Sequence, residues 1–559
     1  MSNSKRFLGL ALVLCLSSAG SAHAQLRSPG RPASESISLP SEVPFVVLPP
    51  PDVAALRAED EASLLAAAAG EPRPYRYGAL IGTALGLDTH GRWDEGQGKL
   101  VWRLEIRSPG ALSLGILFDA FDLPAGAELY LYDPARTEVL GAYTEENEDA
   151  SGALAIQPLA GDALVLEYVQ PLSIGGTPLL RVGQVVHDYR GILPHLAAGT
   201  IQRSQAASCL VDINCPQGAN YQDIKRSVIM VLIGGGLCSA GLLNNTAEDG
   251  TPYFLTADHC GDMTNVVAVF NYELSGCGSG TSSQSQTLSG ATLLAASGLY
   301  DSQLYRLSQP PPPAYQPFYA GWRRNKAAPA PGISISHPSG LPKKLAIDDD
   351  APYAAGNFWA VQWEVGTLEP GSSGSPLFDG QERVLGPTCC VSGFTCNSQL
   401  TNYGRLGPFW NARNLGTYLD PLGLGVNVLD GYDPFAPSAE VYNGAGINAV
   451  ILSSVTPPQL GTTWVAEVDA TGHPTATLTY LQGRTAPSAG MLFPFGELLI
   501  DLTSTFVFAS FAPVSGGLSS HSFALPANPA LAGLTAYVQA AILGVMPPVA
   551  TNGLEVRVN

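Results

Sequence analysis

Charge is what this chain has least of. Only 13% of its 559 residues are charged, and just 28 lysines and arginines stand against 47 aspartates and glutamates, a formal balance of −19. Without basic stripes to neutralise phosphates, nucleic-acid binding is excluded as a function class. Beyond the first residues no segment stays apolar for the roughly 18 positions that a membrane span requires, so stable membrane insertion is not expected. There is no strong fixed-period repeat. With 61 glycines and 45 prolines, the composition favours short strands and turns over long helices. The length implies roughly three to four domains.

The start of the chain reads as a secretory signal. Lys5 and Arg6 provide the positive end, Phe7–Leu16 the apolar segment, and Ala22-His23-Ala24 a small-x-small cleavage site before Gln25. Cys15 lies inside it but follows Leu14, where a lipoprotein signal needs a small residue. Removing residues 1–24 leaves eight cysteines, an even number suited to an oxidising compartment, and a secreted protein is expected.

Three fragments carry the chemistry: TADHC at 256–260, an isolated acid at Asp301, and GSSGSP at 371–376. They supply His259, Asp301 and Ser373. A serine hydroxyl becomes a nucleophile at neutral pH when an imidazole takes its proton and a buried carboxylate fixes the tautomer of that imidazole. The order His, Asp, Ser is that of the two-barrel, chymotrypsin-like arrangement; an esterase of the α/β-hydrolase type places its nucleophile first. Gly371 and Gly374 permit a sharp turn that aims the N–H groups of Gly371 and Ser373 at a developing oxyanion. Cys238, in GGGLCSAGLL, is placed to tie its strand to Cys260 beside the histidine. No metal or organic cofactor is required.

Residues 208 to about 430 resemble the bacterial lysyl endopeptidases of the trypsin-like superfamily. The resemblance runs through SCLVDINCP (208–216), CSAGLLNNTAEDGTPYFLTADHCG (238–261), FNYELSGC (270–277), YDSQLYRL (300–307), GISISHPSG (332–340), LEPGSSGSPLFD (368–379) and NYGRL (402–406). It implies a double six-stranded β-barrel, residues 208–431, with the site between the barrels and a terminal helix near 410–420. It also implies the disulfides Cys209–Cys396, Cys215–Cys277 and Cys238–Cys260. The specificity pocket departs from the family. Lysine-cutting members hold an aspartate where this chain has Thr401, and trypsin proper has an acid where this chain has Thr367. Burying an unpaired ammonium costs several kcal/mol, so a neutral pocket is expected. The wall strand GPTCCVSGF lacks the histidine of glutamate-cutting relatives. In place of the relatives' His-Gly pair it carries Cys389 and Cys390, with Cys390 assigned to the pocket. The two cysteines either bond each other, or one replaces the partner of Cys209, or both stay as thiols.

His337 reads as structural, and Asp348–Asp350 as a solvated acidic loop without calcium-loop spacing. Residues 25 to about 73 read as unstructured. Short alternating strands from about 75 to 188 suggest a β-sandwich similar to the pro-regions of lysyl endopeptidase precursors, to be removed at a junction between Gly199 and Ser208 whose one basic residue is Arg203. Residues 437–559, without cysteine, read as a C-terminal β-sandwich. The whole is an all-β protein with a chymotrypsin-like protease domain between two flanking sandwiches. It is expected to hydrolyse protein or peptide substrates after release from its own pro-region; the competing expectation is an inactive, protease-like binding or adhesion protein.

Overall fold

A computed structural model describes residues 30–68, 72–148, 151–193, 208–391, 396, 399–528 and 531–559. The signal segment 1–24 and the junction at 199–207 lie outside the described residues. The all-β expectation holds: strands dominate the described chain, which divides into two units between Tyr432 and Asp433.

The first unit begins with two facing sheets. In one, Lys99–Arg107 is flanked by Ala163–Pro171, Arg92–Gly96 and the parallel edge strand Phe45–Val47. The other runs Gly78–Gly86, Leu179–Asp188, Ser113–Asp122, Leu154–Ala160. Alternating apolar residues from both sheets, among them Trp102, Leu104, Ile116, Phe118 and Leu166, are buried together between them.

The expectation that residues 25–73 lack structure is corrected. Phe45–Val47 adds to the sheet, and Val53–Ala68 is an α-helix. Its sequence, VAALRAEDEASLLAAA, is rich in the best helix formers, and Asp52 caps it by accepting the Ala55 N–H at 3.0 Å. Composition alone, dominated by proline and alanine, hid both elements.

Two further antiparallel sheets follow, with apolar residues of both buried together, among them Leu243, Leu255, Ile335 and Phe378. The first runs Thr287–Ser289, Val266–Val269, Val228–Ile233, Gly236–Leu243, Tyr253–Thr256, Ser302–Leu307, Ala291–Ser297. Its central hairpin turns through Gly234 and Gly235, with Gly234 at φ +54°. The second is built on Lys344–Asp348, Gly332–Ser336, Pro376–Phe378, Val384–Val391, Leu400–Gly404 and Phe358–Gln362. Trp359 and Trp363 are both buried in it. The terminal helix is two pieces, Leu406–Arg413 and Gly416–Leu419, because Asn414 takes the left-handed conformation at φ +52°.

In the second unit a five-stranded and a three-stranded sheet enclose Trp464, Leu481, Val538 and Leu554. His521 is buried there between the Thr479 and Ser510 hydroxyls.

Candidate active site

The strand Tyr253–Thr256 ends in a single 3-10 turn, Asp258–Cys260, that presents His259. Cys260 is bonded to Cys238 on the neighbouring strand, which anchors the turn from behind. Thr256 pairs with Gln303, so the residue two before Gln303 arrives beside the histidine. That residue is Asp301, at φ +43° in a turn closed by its N–H to the Gly298 carbonyl. Its Oδ1 accepts the His259 backbone N–H at 2.9 Å and its Oδ2 lies 2.7 Å from His259 Nδ1. Asp301 is 7% exposed. A buried carboxylate on Nδ1 holds the proton there and leaves Nε2 as the basic nitrogen. Nε2 is itself buried and has no hydrogen-bond partner among the described residues.

Ser373 lies in the loop between the second sheet's strands, and the loop rests on the histidine's own sheet. The Ser239 N–H donates to the Ser373 carbonyl at 2.8 Å, and the Ser239 hydroxyl donates to the Gly371 carbonyl at 2.9 Å. The same hydroxyl accepts the His337 N–H at 3.0 Å. Ser239 is thus the pin that fixes the Ser373 loop to the strand Gly236–Leu243. Sequence reasoning did not single it out, although it directly follows Cys238. No hydrogen bond joins Ser373 Oγ to His259 Nε2; such contacts often tighten only when substrate is bound.

Gly371 sits at φ +97° and Gly374 at φ +82°. A Cβ on Gly374 would come within 2.2 Å of Thr256 Oγ1 and 2.3 Å of the Ser239 carbonyl, so glycine is required on both conformational and steric grounds. The turn leaves the N–H groups of Gly371 and Ser373 without an acceptor among the described residues. Beneath it His337 is fully buried, its Nδ1 3.0 Å from the Leu341 carbonyl and its ring stacked on Tyr272. Burial, aided by the nearby Lys343 ammonium, pushes its pKa down to about 3.

The depression beside Ser373 is bordered by Glu369, Thr388, Cys389, Cys390 and Val391. Cys389 and Cys390 are bonded to each other; the other pairs are Cys209–Cys396 and Cys215–Cys277. Of the residues assigned to the pocket, Cys390 lines this depression. Thr367 and Thr401 do not: both are buried, and the Thr401 hydroxyl accepts the Trp363 indole N–H at 2.9 Å. The carboxylate in the lining is Glu369, four residues before the serine, whose Oε2 accepts the Ser339 hydroxyl at 3.2 Å. The acidic loop is also only partly solvated. Asp348 is buried and accepts the N–H groups of Gln362 and Asp350.

His259 is thus held on the buried Asp301, and the glycine-flanked Ser373 sits in a loop pinned to the same sheet through Ser239. Residues 203–402 match the family model for the lysyl endopeptidase C-terminal domain, a similarity that indicates a serine endopeptidase-type protein. A solved structure described as a Glu endopeptidase in complex with MPD is similar over 34% of this chain and 90% of that one, at 15% identity and a TM-score of 0.26. Among the described residues no helix is long and apolar enough to cross a membrane.

Proposed function

We propose that the protein is a secreted serine endopeptidase made as a precursor, with His259, Asp301 and Ser373 as its catalytic triad. The observation that carries this reading is the His259–Asp301 pair, whose Nε2 is left buried and without a hydrogen-bond partner among the described residues. Ser373 Oγ attacks the peptide carbonyl carbon while His259 Nε2 takes its proton. The imidazolium formed is stabilised by Asp301 and then protonates the leaving amine. The N–H groups of Gly371 and Ser373 hold the oxyanion, and each is worth about 3–4 kcal/mol of transition-state stabilisation. Water enters as the second nucleophile and the same steps run in reverse order on the acyl-enzyme.

In this reading the residue before the cut is uncharged: no acid stands at Thr401 or Thr367, and the Glu369 carboxylate that borders the depression accepts the Ser339 hydroxyl at 3.2 Å. The Cys389–Cys390 disulfide forms part of its wall. The N-terminal sandwich acts as the pro-region, released near residues 199–208. Replacement of His259 or Ser373 by alanine is expected to abolish peptide hydrolysis by the processed enzyme. Unchanged hydrolysis in Ser373→Ala would remove the basis of the assignment. Cuts mainly after lysine or arginine would remove the neutral pocket and leave the triad standing.

A further inference from the structure

We propose that residues Pro72–Arg76 lie across the nucleophile as a bound but uncut peptide, latched there by Asp60; the proposal rests on the serine-protease reading of the site. Tyr75–Arg76 forms a short strand on the open edge of Gly236–Leu243, antiparallel, with Tyr75 opposite Leu237 and Arg76 opposite Gly236. The ladder continues past it: the N–H groups of Tyr77 and Gly78 both donate to the Gly235 carbonyl, at 2.8 and 3.0 Å. Strand addition of this kind binds a peptide through its backbone, whatever its side chains. In the other direction the same register brings Pro74 level with Cys238 and Arg73 level with Ser239, whose N–H holds the Ser373 carbonyl. The depression at Ser373 is in fact closed on one side by Pro72 and Arg73. The segment therefore passes over the nucleophile before it joins the strand edge.

Two features of the segment protect it from its host. The bond that follows Arg73 is to Pro74, a tertiary amide whose ring crowds the nitrogen that must accept the proton of His259. Arg73 borders the depression but stays exposed, so its charge remains in solvent.

The latch is built from the helix that composition had hidden. Asp60 is 6% exposed. Its Oδ1 accepts Arg76 Nε at 2.7 Å, and its Oδ2 accepts both the Tyr189 hydroxyl at 2.7 Å and Arg190 Nη2 at 2.6 Å. Arg76 Nη1 reaches Glu59 at 3.0 Å and Nη2 the Leu56 carbonyl at 2.8 Å. Arg190 in turn lies over the Tyr75 ring, 5.0 Å from its centroid. At the far end the Tyr77 hydroxyl donates to the Gly234 carbonyl at 2.9 Å. A Cβ on Gly235 would lie 2.1 Å from the Gly78 carbonyl oxygen, which measures how closely the two backbones pass. The strand edge is thus occupied by a segment whose Arg76 side chain is fixed by Asp60, Glu59 and Leu56 of its own domain.

The test compares the full chain with Asp60→Asn and Arg76→Ala in the rate at which a biotinylated fluorophosphonate modifies Ser373, before and after an added protease removes the residues preceding Ser208. The processed products are identical, so any difference belongs to the segment. The intact wild-type chain is expected to react at least about tenfold more slowly than its processed form, and both variants to close most of that gap. Equal rates in intact and processed wild type would overturn the proposal. An unreactive Ser373 in every form would instead overturn the protease reading. Occupancy is read separately by hydrogen exchange in full-length Ser373→Ala: the Tyr77 and Gly78 amides should be protected and should lose that protection with Asp60→Asn. Fast exchange at both in the parent chain would contradict the proposal whatever the enzyme's activity.

Discussion

Asp301 holds His259 at two points, with Oδ1 on the backbone N–H at 2.9 Å and Oδ2 at 2.7 Å from Nδ1. The first contact orients the turn and the second selects the tautomer. Asp301→Asn keeps the shape and offers an amide N–H where an acceptor is needed. By the precedent of the same change in the serine-protease triad, kcat should fall by about 10⁴ with little change in KM. A loss of less than about tenfold would mean that Asp301 does not set the state of His259.

Ser239→Ala removes the hydroxyl that donates to the Gly371 carbonyl and accepts from the His337 N–H. All of these groups are buried, so stability should fall by about 1–3 kcal/mol. Because the freed loop carries both proposed oxyanion donors, kcat should fall while KM moves little. Denaturant unfolding together with steady-state kinetics on the processed enzyme checks both expectations.

Gly374→Ala meets the Thr256 hydroxyl and the Ser239 carbonyl in a backbone conformation that L-residues rarely adopt. Backbone strain alone is worth about 1–3 kcal/mol, and the steric overlap adds to it. The variant should show a lower melting temperature and lost activity. Gly423→Ala is the control for strain without contact, since at φ +66° it has nothing within 4 Å.

Acid should weaken both units. Burial lowers the pKa of His337 to about 3 and that of His521 to about 4, against the ordinary value of 6.5. Between those values the unfolded chain binds protons that the folded chain does not. Stability is therefore full above about pH 6.5 and declines as the pH falls toward 4. Lys343 and Tyr272 face His337, and the Lys343 charge reinforces the effect. Melting temperature measured from pH 7.5 to 4.5 should drop, and the drop should shrink in the His337→Asn, His521→Asn double variant. An identical slope in that variant would contradict the assignment to these rings.

How much was legible in the sequence depended on how locally each feature is encoded. Alternating apolar residues gave the strands, as in LVWRLEIRS, which became Lys99–Arg107 with its centre buried. TADHC and GSSGSP marked themselves by residue type, and the structure brings His259 to Asp301 across 42 positions of sequence. What stayed hidden depends on tertiary contact. Ser239 is an ordinary serine until its neighbours are known, and Thr401 was assigned to the pocket by position although Trp363 takes its hydroxyl. Residues 25 to about 73 were read as unstructured because of their proline-rich and alanine-rich stretches, yet 53–68 is helical. Its order comes from Asp60, Arg76 and Arg190 meeting across more than a hundred residues.

The most direct test of the central claim is a mixed peptide library incubated with the processed protein and with its Ser373→Ala form, the cut sites being read by mass spectrometry. Endopeptidase cleavage that disappears with Ser373, and that follows mainly uncharged residues, is the expected result. Cleavage that persists in Ser373→Ala, or none by a processed and folded wild-type protein, would contradict it.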